Sequence, residues 1–167
     1  MAITNQKELF VRLLSNVRQG AENTTTIYQM MSQAAEMPEI KEALEARAFV
    51  SNKVLSTIDE CFKVIGEQPS TTSGRLYDVF IEDFRKDLSE IESPELRHMF
   101  ILSKANHLNH LRMGEYVLLI EAADMMGHYG VGLMLASCLA DKIAFTERTR
   151  RLIRNIIEGR VEARRAS

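Results

Sequence analysis

From Asn5 to Glu36, the apolar residues Phe10, Leu14, Val17, Ala21, Tyr28 and Met31 recur at three- and four-residue steps or their sum. That is the period of one helix face. A helix of this run is about 45 Å long at ~1.5 Å per residue. Helices of that length belong to bundles rather than to compact α/β folds. Asn5 can cap it, with Glu8 three residues on reaching back. Gly20 and the run Thr24, Thr25 and Thr26 weaken its middle.

The same period continues along the chain. Met37-Pro38 closes the first helix, and Pro38 suits the first turn of a second. That helix carries Ile40, Leu44, Ala48, Ile58, Phe62 and Ile65, and stops at Gly66. The stretch from Glu67 to Gly74 is a loop by its Pro, Ser, Thr and Gly content. A shorter third helix is predicted over about Arg75–Ile91, with Leu76, Phe80, Phe84, Leu88 and Ile91 inward. Ser93 and Pro94 open a fourth helix that runs to about Met126-Gly127. A fifth spans Val131–Ile157. Glu36-Met37-Pro38-Glu39-Ile40-Lys41 is echoed by Glu92-Ser93-Pro94-Glu95-Leu96-Arg97, each opening the second helix of a pair. No segment alternates with period two. The expectation is an all-α four-helix bundle with an additional short helix in the crossover connection. Residues 1–158 form one domain and 159–167 a charged, flexible tail.

A chain of 167 residues with a net charge of −2 offers no global attraction to nucleic acid or an anionic membrane. Two cysteines, Cys61 and Cys138, are too few for a disulfide framework and read as free core thiols in a reducing compartment. The N-terminal stretch has no signal-peptide pattern. The longest apolar runs, such as Tyr116–Ile120, fall far short of the ~18 residues a membrane span requires. A cytoplasmic location is expected.

Several residues carry a resemblance. They are Leu9-Phe10 with Leu13-Leu14-Ser15, Pro38-Glu39-Ile40, Glu95-Leu96-Arg97, and later His110, Tyr116, Gly127 and Leu139. In order and spacing over about residues 7–155, the chain resembles the ferritin-like YciE/YciF family of bacterial stress-associated proteins. The resemblance implies a ferritin-like fold, a homodimer formed by helix packing, and kinship with di-iron carboxylate bundles. Such centres take a Glu from each of two helices and Glu-x-x-His pairs from the other two.

The ligands that the resemblance implies do not fall into place. The family's first Glu aligns at or next to Ala21. Glu22 is adjacent, but one residue turns ~100° around a helix. The Glu/His-rich segment of the second helix is Arg47-Ala48-Phe49-Val50-Ser51-Asn52, without carboxylate or imidazole. The family's Glu-His-x-Glu appears as Asn109-His110-Leu111-Arg112. Its later run of Glu is reduced to Asp141. Glu22, His110 and Asp141 are the weak metal candidates that remain. The expectation is instead a buried polar cluster of Arg47, Asn109, Arg112 and Asp141. In it Arg112 or Arg47 pairs with Asp141, because buried charges without partners cost several kcal/mol.

Other features have plainer readings. Glu95-x-x-His98 has metal-like spacing but sits in a first turn, where Glu suits the helix dipole and both residues suit capping and surface contacts. His107 and His110 are placed on a solvated face. Gly127-His128-Tyr129-Gly130-Val131-Gly132 follows a helix, not a strand, and reads as an interhelical turn. Glu147–Ser167 holds seven Arg and three Glu. Without interleaved aromatics it reads as a solvated terminal face, with nucleic-acid binding the weaker alternative. The nine Met residues are mostly core filler.

The functional expectation is a non-enzymatic structural or interaction protein without catalytic residues or a cofactor. The alternative is a metal-binding oxidoreductase or iron-handling protein that holds di-iron or manganese with relocated ligands.

Overall fold

The computed structural model describes residues 3–166. Met1, Ala2 and Ser167, which fall at the ends of the expected domain and tail, lie outside them. Every regular element among the described residues is an α-helix.

The first hairpin pairs α1 (Gln6–Ala34) with α2 (Pro38–Ile65). The Asn5 side chain accepts the Glu8 backbone N–H at 2.9 Å, as expected of a cap. The Glu8 carboxylate returns to the Thr4 N–H at 2.8 Å, one residue earlier than in a capping box. Pro38 occupies the first turn of α2. Gly66 ends that helix at φ 69°, the left-handed conformation glycine adopts without a Cβ penalty. The loop that follows is held against α1. The Ser15 hydroxyl accepts the Ser70 N–H at 2.9 Å, and Arg12 donates to the Thr71 carbonyl at 3.3 Å.

The crossover contains α3 (Arg75–Ser89). It buries Tyr77, Phe80, Phe84 and Leu88. Leu76, expected inside, is exposed, and Tyr77 takes the inward position. The fourth predicted helix is two helices, α4 (Pro94–His110) and α5 (Met113–Met125), separated by Leu111 and Arg112. Arg112 leaves helical geometry at φ −119°, ψ 3°. Its guanidinium is held by Glu115 at 2.6 Å and donates to the Tyr77 hydroxyl at 3.4 Å. Gly114, a weak helix former, adjoins the break. Gly127, at φ 78°, makes the expected turn into α6 (Tyr129–Ala166). This last helix starts before Val131 and continues past Ile157 through the segment expected as a flexible tail.

The two hairpins close into a bundle, with α2 against α6 and α1 against α5 and α4. Its interior divides into two apolar halves. One holds Ile27, Tyr28, Met31, Leu44, Ala48, Leu102, Ala105, Leu108 and Phe145. The other holds Phe10, Leu14, Val17, Ala21, Val54, Ile58, Tyr116, Leu119 and Cys138. By length and composition α6 is apolar enough to cross a membrane. The core helix of a bundle can have the same property.

Candidate functional site

Each long helix carries a polar residue where one apolar half gives way to the other. On α1, Thr24 lies between Ala21 and Ile27. On α2, Ser51 lies between Ala48 and Val54. On α4, Asn109 follows Leu108. On α6, Lys142 lies between Cys138 and Phe145. All four are buried, as is Arg47 one turn from Ser51. Together they form a polar layer across mid-bundle.

The layer is rich in cations. Arg47 is 3% exposed and Lys142 8% exposed. The Arg47 guanidinium carbon lies 5.6 Å from the Tyr28 ring centroid and 5.4 Å from that of Phe145. The Lys142 amine lies 5.5 Å from the Tyr116 ring. Ring faces stabilise these charges, by about 2 kcal/mol where water is excluded. They do not fill in-plane N–H donors, and among the described residues Arg47 Nε and Nη1 have no hydrogen-bond partner. Asn109, 1% exposed, donates through Nδ2 to the Lys142 carbonyl at 2.8 Å and to the Thr146 hydroxyl at 3.1 Å. Among the described residues its Oδ1 accepts no hydrogen bond. The Thr24 hydroxyl donates to that of Ser51 at 3.4 Å.

The electrostatics follow from burial. Burial, then the neighbouring Arg47 charge, brings the Lys142 amine down to about 7. Burial holds the Tyr28 phenol up at about 12, against the pull of Arg47. It also pushes the Cys138 thiol to about 11, with the nearby Asp141 charge acting in the same direction. Burial raises the Tyr116 phenol further still. None of these neighbouring acids ionises readily enough to balance the two bases.

The predicted site residues separate. Arg47 and Asn109 lie in the layer. Arg112 does not pair with Asp141. It pairs with Glu115 in the first turn of α5 and donates to Tyr77 of α3. Asp141 is half-buried and lines a surface cleft with Arg47, but makes no ion pair among the described residues. Glu22 is exposed beside Arg18 at 3.5 Å. His110 is exposed, with Nδ1 2.8 Å from the Asn106 carbonyl. The three weak metal candidates are therefore not brought together. Among the described residues, no group of three or more His, Cys, Asp or Glu is placed to hold a metal ion. A dinuclear iron centre needs several anionic oxygens. Two buried cations and an amide do not fit it.

Sequence reasoning misplaces one residue and misses another. His98 is interior at 5% exposure, not a surface cap. Its Nε2 accepts the Glu36 and Met37 backbone N–H groups at 3.1 and 3.3 Å, closing the α1–α2 turn. Lys142 was passed over for its charged neighbour Asp141. The spacing could have found it: Val131, Leu135, Cys138, Lys142, Phe145 and Thr149 follow strict steps of four and three, and all are buried.

A four-helix bundle with a crossover helix and a polar mid-layer is a ferritin-like architecture. Residues 5–162 match the DUF892 family, described as a domain of unknown function, and the chain belongs to that family. Its fold is shared with the stress protein YciF of E. coli, at a TM-score of 0.87 and 16% identity over 93% of this chain and 99% of that one. It is also shared with YcfI from Rhodopseudomonas palustris, described provisionally as a structural protein. There the TM-score is 0.82 and the identity 20%, over 89% of this chain and 94% of that one. A ferritin-like diiron-carboxylate protein from Bacillus anthracis is similar at a TM-score of 0.68 and 15% identity, over 90% of this chain and 99% of that one. No curated protein matches the sequence at a significant level.

Proposed function

We propose that this chain is a non-enzymatic structural or interaction protein, a stress-associated bundle whose interior no longer serves a di-metal centre. One observation carries the reading. Arg47 and Lys142 stand buried in the middle of a ferritin-like bundle, and among the described residues no carboxylate forms an ion pair with either. Cations there repel a metal ion rather than bind it. Buried free thiols at Cys61 and Cys138 support a reducing, cytoplasmic setting.

The partner in this reading is a second copy of the chain, docked through helix packing. Val117, Leu118 and Met125 of α5 are exposed, as are Tyr129 and Leu133 of α6. Large apolar side chains exposed on two successive helices are available for such contacts. Nucleic acid is not the expected partner.

The test is elemental analysis of protein expressed with iron, manganese and zinc supplied and purified without a His-tag, alongside its mass in solution. Near-zero metal per chain and a dimer mass are expected. One or two metals per chain would overturn the reading in favour of a metal-binding oxidoreductase or iron-handling protein.

A further inference from the structure

Arg47 cannot shed its proton as Lys142 can. Its Nε and Nη1 are buried without a partner. Two unfilled donors on a permanently charged group inside a protein are an energetic deficit that a neighbouring anion would reduce. Arg47 is also part of the wall of a cleft of about 190 Å³ between α2 and α6. Small side chains, Ala43, Ala46 and Ala144, keep that cleft open. Arg148 and Asp141 complete it, one of each sign. Arg148 is only loosely engaged, 3.7 Å from the exposed Glu42.

We propose that this cleft binds a small inorganic oxyanion of the phosphate or sulfate class, held by Arg47 from within and Arg148 from the rim. Charge-assisted bonds from guanidinium to phosphate oxygens are among the strongest a side chain makes. Asp141 opposes the anion and sets a ceiling on its charge. The volume of the cleft is ample for a tetrahedral ion. Lys142, on the same layer, adds positive potential from the core side. The inference deepens the reading of the interior as cationic. The two fail separately, because metal content bears on the first and anion binding to metal-free protein on the second.

The experiment is calorimetric titration of chelator-treated full-length protein with sodium phosphate, at constant ionic strength kept by sodium gluconate. Saturable binding at one ion per chain is expected. Arg47→Met should weaken it about tenfold or more, and Arg148→Ala several-fold. Asp141→Asn should tighten it several-fold. Absence of saturable binding by the native chain overturns the proposal, as does binding indifferent to Arg47→Met. Should Arg47→Met not fold, the two rim variants decide. Opposite shifts support the site, and no shift or like shifts overturn it.

Discussion

Arg47 of α2 and Lys142 of α6 are buried in one polar layer, neither in an ion pair among the described residues, and the Arg47 charge adds to burial in holding the Lys142 amine down. Burial, then the Arg47 charge, brings the Lys142 amine to about 7. An unfolded lysine titrates near its ordinary value. Between the two, the unfolded chain binds more protons than the folded one, so folding stability rises with pH. Chemical denaturation at pH 7.0 and 8.5 should show the protein more stable at 8.5. Lys142→Met should abolish most of that difference and raise stability at pH 7.0. An unchanged pH slope in Lys142→Met would show that the amine is not the titrating group.

Arg47 cannot relieve its own burial in this way. Replacing a buried charge by an apolar side chain of similar length is commonly neutral or stabilising. Loss of the contacts with Tyr28 and Phe145 offsets part of the gain. Arg47→Met should therefore raise the unfolding free energy by about 1–2 kcal/mol. It should also move the Lys142 titration above 7, read by NMR of the lysine side-chain resonances. A destabilised variant with Lys142 unmoved would mean that the two cations do not interact.

The fold was legible because long helices declare themselves by period. Phe10, Leu14, Val17 and Ala21 on α1, and Ile40, Leu44 and Ala48 on α2, are buried as their spacing requires. Asn5, Pro38, Gly66 and Gly127 marked helix ends because their chemistry is local. The break at Leu111-Arg112 was not legible. It depends on Tyr77, Gly20 and Glu115, which are brought to Arg112 only by folding. The centre was half legible. That carboxylates were missing could be read from Arg47 and Asn109. That Lys142 rather than Asp141 turns inward depends on a single-residue register, and charge type favoured the wrong one. His98 was misjudged because the groups it accepts from, at Glu36 and Met37, lie on a distant turn.

His98 makes the turn between α1 and α2 sensitive to acid. Its Nε2 can accept the two backbone N–H groups only while it is unprotonated. Burial, with Arg97 acting alongside it against Glu36, holds its pKa below the usual histidine value. The unfolded chain therefore takes up a proton first as pH falls. Stability is lost as pH drops through about 6.5 and below. His98→Ala should cost about 1 kcal/mol at pH 7.5 by removing two part-buried hydrogen bonds. It should also flatten the stability profile between pH 7 and 5.5. A wild-type profile flat over that range would exclude His98 as the sensor.

Gly20 is the one point where α1 must lack a side chain for α3 and the α4–α5 break to dock. A Cβ there would lie 2.7 Å from the Tyr77 hydroxyl oxygen and 3.5 Å from Arg112 Cγ. The Tyr77 ring is buried and its hydroxyl is engaged by Arg112, so it has little freedom to retreat. Helix propensity favours alanine by about 1 kcal/mol, while overpacking costs about 1–3 kcal/mol. Gly20→Ala should therefore be neutral to destabilising, by up to about 2 kcal/mol. Tyr77→Phe removes the clashing oxygen at the expense of one hydrogen bond. In Tyr77→Phe the same Gly20→Ala change should become stabilising, because propensity then acts unopposed. The double-mutant cycle from denaturation midpoints should thus give a coupling of about 1 kcal/mol or more. Additive effects would mean that Tyr77 moves aside freely, and that the packing of α3 does not depend on Gly20.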